Sequence, residues 1–320
     1  MENSGETEDG SEDRLKFSRA AGTPEKYGPN ALAEANFPVS AVSKFLMSNV
    51  CCYKFHVMAT NCLLRLRFEA IFICGLSMAT SFGATAEPGR IVIPAKSSTQ
   101  TASAGLQKLS GRNGLLYVPT GHAEPLPLLV LLHKGGGYAS EWFDGGASYA
   151  PYADKGRFII LAPESLGPSW GTGRPKNWGY DYLAINRALE EAFARCAIDR
   201  NRLAIGGFSD GASYALSLGL ANGDVFSYVI AFSPSFIVRA QGRAKRSPTG
   251  TAITPLVYIA HGVSDNVLPI ASTSRVIVAS LRKNGYNVEF REFSGGHASR
   301  PRQVTDQAMS WLTTAFHQRR

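Results

Sequence analysis

The stretch Ala204-Ile205-Gly206-Gly207-Phe208-Ser209-Asp210-Gly211-Ala212-Ser213-Tyr214-Ala215-Leu216 decides the fold. Apolar Leu203, Ala204 and Ile205 read as a strand end. Small, apolar Ala212 to Leu220 reads as a helix start. Between them lies G-x-S-x-G, made by Gly207, Ser209 and Gly211. A strand that turns sharply into a helix holds one serine at the tip with its hydroxyl exposed. Glycine is required on either side because a Cβ there would strike the strand or the helix. The helix N-terminus supplies unpaired N–H groups and a positive dipole end, both suited to a developing oxyanion.

A serine hydroxyl needs a base, and the base needs an orienting carboxylate. In this architecture the chain order is Ser, then Asp or Glu, then His. Beyond Ser209, the apolar run Pro255 to Ala260 reads as a buried strand and opens into His261-Gly262-Val263-Ser264-Asp265. Asn287 to Phe293 alternates like a last strand and opens into Ser294-Gly295-Gly296-His297. Each polar group falls just past a strand end, where open α/β sheets build their sites. The expected triad is therefore Ser209, Asp265 and His297. Its bland counterparts are a turn aspartate and an exposed loop histidine. His133 and His261 read as structural histidines. Asp210 follows the serine too closely to reach His297, and Asp181 and Asp224 read as a helix cap and a turn residue.

The rest of the chain supplies the frame. Gly105–Ser110 and Gly114–Val118 read as short strands around a glycine turn. Pro127 to His133 and Phe158 to Ala162 are continuous apolar runs, the mark of strands buried on both faces. Tyr182–Cys196, Ile270–Lys283 and Val304–Phe316 repeat apolar residues at helical spacing. Alternating strands and helices give a mostly parallel central sheet flanked by helices. The strand ending at His133 runs into Lys134-Gly135-Gly136-Gly137. An oxyanion site needs two N–H donors, and those of Asp210 and Gly135 are the candidates. The glycine loop lacks both common phosphate-binding spacings. Tyr138, Trp142, Phe143, Trp170 and Trp178 lie in loops on the same rim and are read as lining an acyl or aromatic pocket, with plain core aromatics as the competing reading. The loop 167–180 is expected at the surface.

The 320 residues carry a net charge of +8. Residues 1–86 hold 8 basic and 9 acidic side chains, so the positive excess belongs to the remainder. Its densest cluster, Arg239, Arg243, Lys245 and Arg246, reads as a solvated loop, with an anionic-substrate site as the alternative. Aromatic and basic residues are not interleaved as in a nucleic-acid face, so no nucleic-acid partner is expected. Four of the five cysteines precede residue 75, which leaves Cys196 alone in the globular part and excludes a disulfide there. No Cys/His cluster has metal-ligand spacing, so no metal is expected.

Residues 1–57 read as a disordered or mis-annotated extension. Met58 to Ala86 combines basic residues, an apolar run and Ala84-x-Ala86, the pattern of a signal peptide, with translation starting at Met58. A buried or anchoring helix is the alternative. The domain expected is 87–320, exported to the periplasm or outside the cell (alternatively cytoplasmic), without stable membrane insertion.

Five segments in order carry a family resemblance: LLVLLHKGGG ending at Gly137, GGFSDGASYAL (206–216), VIAFSP (229–234), HGVSDNVLP (261–269) and GGH (295–297). Together, over residues 105–318, they resemble the α/β-hydrolase superfamily, in its phospholipase/carboxylesterase and dienelactone-hydrolase-like branch. The resemblance implies an α/β-hydrolase fold without a large cap domain. It also implies a serine esterase acting on small-molecule or polymeric esters, with no cofactor. A peptidase, a thioesterase, and a secreted feruloyl-ester or polyhydroxyalkanoate esterase are the alternatives. A non-catalytic binding module is the rival outside enzymes. One departure is His133-Lys134, where the family has His-Gly, which places a cation beside the expected oxyanion loop.

Overall fold

The computed structural model describes residues 87–111, 113–121, 125–171, 178–237, 254–297 and 301–318. The expected signal peptide, the extension before it and the basic loop 239–246 lie outside the described residues. Eight strands form one sheet: β1 (Gly105–Lys108), β2 (Gly114–Val118), β3 (Leu126–Leu132), β4 (Ile159–Pro163), β5 (Ile198–Phe208), β6 (Tyr228–Phe232), β7 (Leu256–Gly262) and β8 (Val288–Phe293). Their order is β1-β2-β4-β3-β5-β6-β7-β8. The first two pairings are antiparallel and the remaining five are parallel. This is the mostly parallel sheet of the α/β-hydrolase fold.

The helices are α1 (Ala150–Gly156), α2 (Asp181–Arg195), α3 (Asp210–Ala221), α4 (Ser274–Lys283) and α5 (Arg302–Gln318). They cover both faces, so each central strand is apolar on both sides. Along β3, Leu126, Leu128, Val130 and Leu132 enter one core with α2, α3 and α4. Leu129 and Leu131 enter the other, with α1 and α5. All seven β3 residues are buried, which is why Pro127 to His133 reads as an unbroken apolar run.

Three details differ from the sequence reading. The helix expected from Ile270 begins at Ser274, because Pro269 to Thr273 form a turn first. The short helix α1 was not foreseen. Asp181 does not cap α2: the cap position is Tyr180, and the Asp181 side chain turns back into the preceding loop.

Parallel strands point their C-terminal ends to one edge of the sheet. The turns after β3, β5, β7 and β8 therefore converge there, although they are far apart in sequence.

Candidate active site

At the end of β5 the chain turns through Ser209 with φ 56° and ψ −118°. Positive φ is uncommon for a residue with a Cβ, and it marks stored strain. Ser209 N–H donates to the Phe232 carbonyl at the end of β6, and the Ser213 N–H closes the first turn of α3 on the Ser209 carbonyl. The Ser213 hydroxyl also donates to that carbonyl at 3.1 Å, and its oxygen accepts the Ser235 N–H at 2.9 Å. The flanking glycines are sterically forced. A Cβ on Gly207 would lie 2.6 Å from the Gly211 carbonyl, and one on Gly211 would lie 2.2 Å from the His133 carbonyl.

The serine Oγ lies 2.8 Å from His297 Nε2. His297 Nδ1 lies 2.7 Å from Asp265 Oδ2. Since Oδ2 only accepts, Nδ1 carries the proton and Nε2 is left as the acceptor facing Ser209. The imidazole stacks on Phe208, with ring centres 5.2 Å apart, which fixes its plane. The three residues singled out from sequence are thus within hydrogen-bond reach of one another in series.

Asp265 has a buried side chain and a full set of donors. Its Oδ1 accepts the N–H groups of Val267 (3.0 Å) and Leu268 (2.8 Å). Its Oδ2 also lies 3.1 Å from His261 Nε2. Burial alone pushes the Asp265 carboxyl up, but the Leu268 N–H and the His297 imidazole outweigh it and hold it below the ordinary range. His261 is fully buried. Its Nδ1 accepts from the Ser274 hydroxyl at 2.6 Å, and its Nε2 sits 2.8 Å from the Leu268 carbonyl. Burial holds this imidazole below its ordinary pKa, so it is the neutral ring with the proton on Nε2.

The glycine loop after β3 lies against the elbow: a Cβ on Gly135 would be 3.6 Å from the Asp210 Cβ. Gly136 and Gly137 spend their N–H groups on the Pro168 and Lys134 carbonyls. Among the described residues, the Gly135 N–H has no such partner, and Asp210 opens α3, where a helix leaves its N–H groups unpaired. Lys134, the departure from the family pattern, pairs with Glu141. His133 is buried, with Nδ1 2.8 Å from the Lys134 carbonyl, and its Nε2 receives the Ser165 N–H at 3.3 Å.

The aromatic rim needs a correction. Tyr138 is 65% exposed, but Trp142, Trp170 and Trp178 are buried. Trp142 packs edge-on to Tyr149. Trp170 donates from its indole N–H to the His133 carbonyl and stacks on Tyr214, which Trp178 meets edge-on. These indoles support the loops from beneath; apolar area of that size goes to the core wherever the chain can bury it. Sequence reasoning also missed the side chains of Asp210 and Asp181. Asp210 Oδ2 accepts from the Ser169 hydroxyl and the Trp170 N–H, and the buried Asp181 binds the N–H groups of Leu166 and Gly171. An aspartate before an apolar helix reads as a cap, and only the folded loop reveals the other use.

Among the described residues, no group of three or more His, Cys, Asp or Glu side chains is arranged to hold a metal ion. Nor is any described helix long and apolar enough to cross a membrane.

A model of the phospholipase/carboxylesterase family matches residues 183–314, which hold the elbow, Asp265 and His297. Feruloyl esterase B of Thermothelomyces thermophilus is 28% identical over 154 residues, 46% of this chain and 51% of that protein. The chain thus spans about half the length of that relative. Acyl-protein thioesterase 1 of Mycosarcoma maydis is 25% identical over 226 residues, covering 61% of this chain and 93% of the thioesterase. Among solved structures, esterase PE8 matches with a TM-score of 0.47 at 21% identity, over 65% of this chain and 98% of that one. The Bacillus cereus carboxylesterase matches with a TM-score of 0.47 at 20% identity, over 62% and 92%.

Proposed function

We propose that this chain hydrolyses carboxylic esters through an acyl-enzyme on Ser209. The observation that carries the reading is the series Ser209 Oγ, His297, Asp265, joined by contacts of 2.8 and 2.7 Å at a strained elbow. His297 Nε2 takes the hydroxyl proton as Oγ attacks the ester carbonyl. The electron pair of the carbonyl moves to oxygen, where the N–H groups of Asp210 and Gly135 receive it. Collapse breaks the C–O bond to the alcohol, which leaves with the proton from Nε2. Water then repeats the sequence on the acyl-enzyme, with Nε2 accepting its proton and returning it to Ser209. Asp265 keeps the Nδ1 proton in place and stabilises the transient imidazolium.

Short p-nitrophenyl esters test this. Ser209→Ala should lose about 10³-fold or more in kcat, the scale of losing a triad member. A fluorophosphonate probe should label the native protein and not the variant. Turnover by the variant at the native rate would refute the assignment, and an unlabelled native protein would favour a binding module.

The second reading is a thioesterase, supported by the alignment that spans 93% of acyl-protein thioesterase 1. The same residues serve either bond. A panel pairing oxygen esters, feruloyl esters among them, with thioesters of one acyl group separates these readings by kcat/KM. Export of a domain covering 87–320 remains part of the proposal, and N-terminal sequencing of the mature protein tests it by finding Glu87 first.

A further inference from the structure

The Asp210 carboxylate has no part in the proton transfers above, yet it is held by two donors. Its Oδ2 accepts from the Ser169 hydroxyl at 2.9 Å and the Trp170 N–H at 2.7 Å. Both donors belong to the segment 165–171 after β4. Two residues earlier than Trp170, the Pro168 carbonyl accepts the Gly136 N–H at 2.6 Å. One short loop therefore grips the elbow and the glycine loop at once. Its own ends are tied together by Asp181, which is 2% exposed and accepts the Leu166 and Gly171 N–H groups, each at 2.6 Å. Trp170 adds a third hold through its indole N–H on the His133 carbonyl at 2.8 Å.

We infer that the segment 165–171 is a strut fixing the spacing of the Asp210 and Gly135 N–H groups, with the Asp210 carboxylate as the positioning residue that locks it to the elbow. The inference rests on the esterase reading, since it concerns the donors of that oxyanion site. A pair of amides stabilises an oxyanion only if both lie about 2.7–3.1 Å from where it forms. Gly135 and Asp210 sit on different strand ends, and a triglycine loop is too free in φ and ψ to hold its position unaided. The strut supplies that constraint. The Ser169 and Trp170 donors also engage the charge of the carboxylate.

The test uses the full chain and compares Asp210→Ala with Asp210→Asn. Alanine removes the acceptor, whereas asparagine keeps one oxygen for the Trp170 N–H. Loss of donor alignment should lower kcat of Asp210→Ala about 10- to 100-fold with KM within about threefold. Affinity for an alkyl boronic acid, which forms a tetrahedral serine adduct, should fall by a similar factor. Asp210→Asn should recover most of both losses. Asp181→Asn, which releases one end of the strut without touching Asp210, should show the same kcat-selective loss in weaker form, and it decides the matter if Asp210→Ala fails to fold. Ser209→Ala and fluorophosphonate labelling run in parallel. If Ser209→Ala is as active as the native protein, the esterase reading fails. If Ser209→Ala is inactive while Asp210→Ala and Asp181→Asn keep native kcat and boronate affinity, the strut fails and the esterase reading stands. A loss that tracks only melting temperature and is not recovered by Asp210→Asn also overturns the strut.

Discussion

Asp265 receives four contacts: two backbone N–H groups and two imidazoles. A carboxylate with so many donors is rigid, and the second imidazole is what sequence pattern alone undervalues. His261 Nε2–H is shared between the Leu268 carbonyl and Asp265 Oδ2. It therefore fixes the orientation from which Oδ2 meets His297. This arrangement has a pH signature. His261 has a folded pKa below its ordinary 6.5, so the unfolded chain binds more protons there as pH drops. Its contribution to stability is complete above pH 6.5 and is lost as pH falls toward the lowered folded value. Asp265 adds a second loss of the same sign at more acid pH, below its ordinary 3.8. Melting temperature should therefore decline from pH 7 to pH 5 in the native protein, and more shallowly in His261→Gln. Parallel slopes would rule out His261 as the source. His261→Ala should further cost about 2–4 kcal/mol in urea unfolding, since it opens a cavity and strands the Ser274 hydroxyl and the Leu268 carbonyl. Ser209, Asp265 and His297 were legible as candidates because each follows a strand signal in the chain order this architecture uses. His261 was legible as a structural histidine and Asp181 only as a helix cap, since the partners of both are set by loop geometry that no spacing rule encodes.

The elbow shows how far an element can be read from its residues. G-x-S-x-G between an apolar run and a small-residue helix specifies a strand, a turn and a helix. The contacts then explain each glycine separately. On Gly211 an added Cβ would meet main-chain oxygens of Leu132 and His133, at 2.4 and 2.2 Å. Backbone atoms of a central strand cannot yield as a side-chain tip can. Gly211→Ala should therefore destabilise by about 3 kcal/mol or more, at the upper end of overpacking effects. Gly135 is the contrast. Its added Cβ would make only ordinary contacts, the nearest at 3.6 Å, and its φ is not in the left-handed region. Gly135→Ala should stay within about 1 kcal/mol of native stability, as for other unstrained substitutions. Urea denaturation of the two variants side by side checks both values, and equal losses would refute the distinction. The loop aromatics were misread for a related reason. A Gly- and Pro-rich stretch such as 167–180 reads as surface, but Trp170 and Trp178 each outweigh that tendency by the apolar area they bury.

At the scale of the molecule, the least legible feature is a strap that precedes the sheet. Residues 89–102 hold no regular element, yet they run across α2 and the end of α3. Asn222, fully buried after α3, donates to the Gly89 carbonyl and accepts from the Ile91 N–H, both at 2.9 Å. Arg90 reaches Asp224 through a fork of two contacts. Asn186 exchanges hydrogen bonds with Arg90 and Val92 across the strap. Farther along, Ser98 and Ala102 donate their N–H groups to the Phe193 and Arg195 carbonyls at the C-terminus of α2. Gly89 is obligatory, since its φ is +77° and a Cβ would lie 2.4 Å from the Trp178 ring. None of this has a periodic signature, because the strap borrows its partners from helices about a hundred residues away. The prediction follows from where the partners begin. A chain of residues 87–320 retains every contact just named, and should match the full chain in melting temperature and in kcat/KM. A chain of residues 105–320 exposes Ile91's site, worth about 2 kcal/mol of apolar burial. It also takes the Gly89 carbonyl and the Ile91 N–H from the Asn222 side chain, which keeps only the Leu218 carbonyl, at about 1–3 kcal/mol. Together these take about 3 kcal/mol or more from the stability, a large share of the 5–15 kcal/mol typical of a domain. Because Trp178 packs on Gly89 and meets Tyr214 of α3, the loss should reach the elbow, so the shorter chain should also label more slowly with fluorophosphonate. Equal melting temperatures for the two truncated chains would show the strap to be a passive covering.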